Sequence, residues 1–79
     1  MSKLKNKIGD LSSQLIAIAL SSGLTWDESV TAFGLATKAL AVKACVEGDG
    51  SKESCINHAE KRLQQGFSQE VDVSGNFLH

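Results

Sequence analysis

From Trp26 to Val46 runs a stretch of 21 residues with no proline, polar in its first turn and largely apolar beyond it. Between Ala32 and Val46 only Thr37, Lys38 and Lys43 are clearly polar. Trp26, Val30, Phe33, Thr37, Leu40 and Ala44 recur at spacings of four and three, which is one face of an α-helix. Leu35, Val42 and Val46 fall on a second face, and alanines fill the space between. A helix apolar around most of its circumference is normally covered on more than one side. In a chain of 79 residues, two other helices or a second copy must supply that cover. Leu40, in the middle of the first face, is expected in the core.

The start of this helix is written in its first residues. Thr25 stands three before Glu28, the spacing of a capping box, in which each side chain takes the other's backbone amide. Asp27 and Glu28 occupy the first turn, where the helix dipole favours negative charge. Leu24 and Ser29 hold the staple positions, but Ser29 is polar, so no hydrophobic staple is expected. Gly34 costs roughly 1 kcal/mol relative to alanine inside a helix, which points to close helix packing at that position.

A first helix is read from the spacing of Leu4, Ile8, Leu11, Leu15 and Ile18, carried across Gly9, with Ile16, Ala19 and Leu20 widening the stripe. Ser21-Ser22-Gly23 ends it, Gly23 suiting the left-handed position after a helix. Glu47-Gly48-Asp49-Gly50-Ser51 is a second break. Ser51 then caps a third helix with a narrow apolar face of Ile56, Ala59, Leu63 and Phe67, ending near Gly66. The expectation is an all-α fold, a small three-helix domain or helical bundle. Its helices run near 3–22, 25–47 and 52–66, within a domain of residues 1–67. Residues 68–79 form a loose C-terminal tail in which Val71, Val73 and Phe77 are docking candidates.

Composition narrows the function. Net charge is −1, so nothing draws the whole chain toward nucleic acid or acidic membranes. No stretch approaches the 18 or more apolar residues of a membrane span. The basic start, Met1 to Lys7, is not followed by the apolar core of a signal peptide, since Gly9-Asp10 and Ser12-Ser13-Gln14 intervene. The chain is read as cytoplasmic.

Candidate chemical sites are weak. Cys45 and Cys55 flank the second break and are candidates for a disulfide, worth roughly 2–3 kcal/mol by loop entropy; packing as small apolar side chains is favoured. Cys45, Cys55 and His58 give three ligands within reach, with His79 at the far end of the chain, and structural zinc takes four. Asp49 to Glu60 partly follows a calcium loop, but Ser54 replaces the glycine the sharp turn needs and Lys52 adds positive charge. No serine elbow, catalytic triad or phosphate-binding glycine loop is present, so no enzyme and no cofactor are expected.

Ala19 and Gly23 give a faint helix-turn-helix spacing. However, Asp27, Glu28, Ser29 and Thr31 would then face the DNA, with no basic residue before Lys38. What remains is a non-catalytic protein-interaction module: a homodimeric adaptor, regulator or inhibitor that binds a larger protein through apolar helix faces. Leu15, Ile16, Leu20, Leu35, Val42 and Val46 are the candidate partner or dimer contacts. The competing reading is a dimeric DNA-binding regulator of helix-turn-helix type.

Overall fold

A computed structural model describes residues 2–70. The fold is all-α, with three helices and no strand among the described residues. Helix α1 spans Ser2–Leu20, α2 Trp26–Val46 and α3 Lys52–Phe67. Each end lies within two residues of the break read from the sequence. Val71, Val73, Phe77 and His79 lie outside the described residues. The described chain divides into two compact units, residues 2–29 and 30–70.

In the first unit, α1 continues through Gly9, where an added Cβ would meet nothing within 4 Å. Its last carbonyls are taken by serine hydroxyls. Ser21 Oγ donates to the carbonyls of Ala17 and Ile18, each at 3.1 Å, and Ser22 Oγ donates to that of Ala19 at 2.7 Å. The same Ser22 oxygen accepts the Leu24 amide at 3.1 Å. Gly23, at φ +83°, then turns the chain in the left-handed region, which a Cβ would make costly.

The start of α2 is a closed capping box. The Thr25 amide donates to Glu28 Oε1 at 2.9 Å, and the Glu28 amide donates to Thr25 Oγ1 at 3.3 Å. The Thr25 hydroxyl also donates to Asp27 Oδ1. That bond and the neighbouring backbone amides hold the Asp27 carboxyl below its ordinary value of 3.8. Ser29, the polar residue at the staple position, is buried.

In the second unit, the α2–α3 connection is set by Gly48 at φ +94°. The Gly48 amide donates to the Cys45 carbonyl and the Asp49 amide to the Ala44 carbonyl, both at 3.0 Å. This pair of bonds is a Schellman motif. Five residues on, α3 is under way: Ser51 Oγ accepts the Ser54 amide at 3.1 Å as its N-cap. So short a link makes α2 and α3 neighbours in a helical hairpin.

The hairpin closes around Ala41, with mostly small residues beside it. Ala41 is the one apolar side chain counted as buried among the described residues, at 5% exposure. Phe33, Thr37, Ala44 and Cys45 of α2, with Cys55, Ile56 and Ala59 of α3, are half-buried. Leu40 is 70% exposed, which corrects its expected place in the core. The buried stripe is rotated by about one residue, so that Ala41 rather than Leu40 points inward. Alanine allows α2 and α3 to approach, while Leu40 is left on the flank. Gly34 is corrected too: an added Cβ there would meet nothing within 4 Å, so no close packing among the described residues accounts for it.

Candidate interaction surfaces

Two surfaces stand out, one in each unit. In the first unit, Leu4, Ile8, Leu11, Leu15 and Ile18 all remain exposed, Leu15 least at 38%. Their four–three spacing sets them along one face of α1 as a continuous apolar seam. Lys3, Lys5 and Lys7 surround the start of this seam and give it a positive end. Of the other contact candidates on α1, Ile16 is half-buried and Leu20 is exposed.

In the second unit, α2 and α3 border an open cleft of about 650 Å³. Thr37, Leu40, Ala41 and Ala44 line it from α2, and Ser54, Cys55, His58, Ala59, Arg62 and Leu63 from α3, with Asp49 at the turn. Leu40 and Leu63, both exposed, form its apolar rims. The α2 candidates lie elsewhere: Leu35 and Val46 are exposed, Val42 is half-buried, and none of the three lines the cleft. Sequence reasoning missed the cleft because it placed Leu40 inward. The alternation of alanines with larger side chains between Ala36 and Ala44 was the available signal, since small residues mark where helices come closest.

Cys45 and Cys55 are both free thiols and both half-buried; only Cys55 lines the cleft. Among the described residues, no three His, Cys, Asp or Glu side chains are grouped to hold a metal ion. The partial calcium loop is excluded by geometry. Glu53, Ile56 and Glu60, which would have to wrap the ion, all lie within α3.

Helix α2 is long and apolar enough to cross a membrane, although the sequence was read as having no such segment. Lys38 stands near its middle, where a charge costs roughly 2.5–3.5 kcal/mol in a bilayer. The core helix of a soluble protein has the same length and composition. Compared with known proteins, the chain matches no family model, no curated protein and no solved structure.

Proposed function

We propose that this chain is a non-catalytic protein-interaction module, an adaptor or regulator that works by covering its apolar helix faces with another protein. One observation carries the reading. Among the described residues, 14 large apolar side chains are exposed while Ala41 alone of the apolar residues is buried. Burying one Leu, Ile or Phe side chain is worth roughly 1.5–3 kcal/mol. A surface with this many uncovered is stabilised by whatever closes over it, and contiguous apolar surface marks association sites.

The α1 seam is the docking face for the larger partner. Its five residues fit a helical groove, and its lysines suit a groove with an acidic rim. The test compares capture by the full chain with capture by Leu11→Glu, using the cell that produces the protein. A Ser13→Glu control carries the same charge change off the seam. A partner retained by the control and lost with Leu11→Glu supports the reading. Equal capture by both variants sinks it.

The DNA-binding alternative is weakened by the α2 cap. Asp27 and Glu28 are held at the helix start by Thr25, where a recognition helix would meet phosphate. Electrophoretic shift with duplex DNA, losing affinity steeply as salt rises, is the result that would revive it. The length and apolarity of α2 favour, as a second reading, a membrane-associated chain. Partition into the pellet after carbonate washing would support that reading over a cytoplasmic adaptor.

A further inference from the structure

We propose that the α2–α3 cleft is filled by the same cleft of a second copy, two hairpins packing antiparallel about a twofold axis. This rests on the interaction reading above and names the occupant of one of its surfaces. The hairpin buries only Ala41 among its apolar residues, and both rims of the cleft, Leu40 and Leu63, stand exposed. A two-helix unit has no interior to put them in. Two such units face to face make a four-helix bundle, in which facing side chains fill the space between.

Charge selects the second copy over an unrelated chain. Asp49 marks the turn end of the cleft and Arg62 lies toward its other end. Arg62 is 11 residues beyond the α3 cap at Ser51, or about 16 Å along the helix. A twofold axis through the middle of the cleft carries the turn end of one copy onto the far end of its mate. Asp49 of each then meets Arg62 of the other, twice over. A twofold contact must be self-complementary in this way, with opposite signs at opposite ends. Parallel stacking would instead set Asp49 on Asp49 and Arg62 on Arg62.

The full chain is measured by sedimentation equilibrium beside Arg62→Glu, Asp49→Lys and the double variant, with helix content followed by circular dichroism. These changes lie on exposed positions and leave the helices intact. The wild type is expected to be a dimer. Each single change weakens it by about tenfold through like-charge contact, and the double variant restores it. A dimer indifferent to both single changes overturns the cleft as its interface. A monomeric wild type overturns the second copy as occupant. In that case fluorescence of an added anilinonaphthalene dye separates the two readings. Bright dye leaves the apolar faces open for a different partner, and the interaction module survives. Dark dye shows them covered within the chain, and both readings fall.

Discussion

Thr25 and Glu28 each give a backbone amide to the other's side-chain oxygen, at 2.9 and 3.3 Å. Two donors that the first turn of a helix leaves without intrahelical partners are thereby satisfied. This reciprocal pair fixes where α2, the most apolar element of the chain, begins. Thr25→Ala removes one side of it and is expected to lower stability by about 1 kcal/mol. Urea unfolding followed by circular dichroism measures the change. An unaltered midpoint would mean that the start of α2 is fixed by something else.

Acid acts on the same turn through Asp27. Hydrogen bonding to Thr25 holds its carboxyl below the ordinary 3.8. A depressed folded-state value stabilises the fold above the unfolded value, and the effect is lost as pH falls through the folded one. The Asp27 contribution is therefore complete at neutral pH and disappears only below about pH 4. Comparing the acid unfolding of the wild type with that of Asp27→Asn isolates it. The variant should show the shallower loss of stability as pH falls below 4. Superimposable acid limbs would contradict the role given to the Thr25 bond.

Gly48 and Gly34 are expected to respond to alanine with opposite signs. Gly48 sits at φ +94° in the Schellman turn, where a side chain costs roughly 1–2 kcal/mol. Gly34 is inside α2 with nothing within 4 Å of an added Cβ. Alanine there should gain up to about 1 kcal/mol of helix propensity. Thermal melts of the two variants provide the check. A loss of stability in Gly34→Ala would mean that another chain packs against that face in solution.

Leu40 and Ala41 are neighbours with opposite surroundings, at 70% and 5% exposure. Ala41→Glu puts an unpaired charge where α2 meets α3 and should unfold the hairpin, since breaking burial in this way costs several kcal/mol. Leu40→Glu should keep its helices and lose its mate instead. Circular dichroism and sedimentation, run on both variants, separate the two effects. Loss of helix in Leu40→Glu without loss of helix in Ala41→Glu would reverse the assignment of the inner face.

The breaks in this chain were legible because each is local chemistry. Thr25 with Glu28, Gly23 after two serines, Gly48, and Ser51 before α3 all act on backbone groups within five residues. Which way α2 faces was not legible in the same way. Trp26, Val30 and Leu40 share a periodic face, yet they are 81%, 55% and 70% exposed. Periodicity identifies a face that repels water. It does not say whether that face is covered by the same chain or by another. In this hairpin the one buried apolar position went to Ala41, which lets two backbones approach, while Leu35, Leu40, Val46 and Leu63 were left outside. Of the six candidate contacts, Leu15, Leu20, Leu35 and Val46 are exposed, while Ile16 and Val42 are half-buried. The cleft bounded by Leu40 and Leu63 depends on how two helices pair, and spacing along one helix does not carry that information.

The central claim is that these helices are stabilised by association. The midpoint of thermal unfolding, measured over a hundredfold range of chain concentration, tests it most directly. Association binds the folded state and not the unfolded one, so the midpoint must rise with concentration. A steady rise, lost in Leu40→Glu, is the predicted result. A sharp cooperative melt at one temperature throughout that range would show that the chain completes its core alone, and would contradict the account.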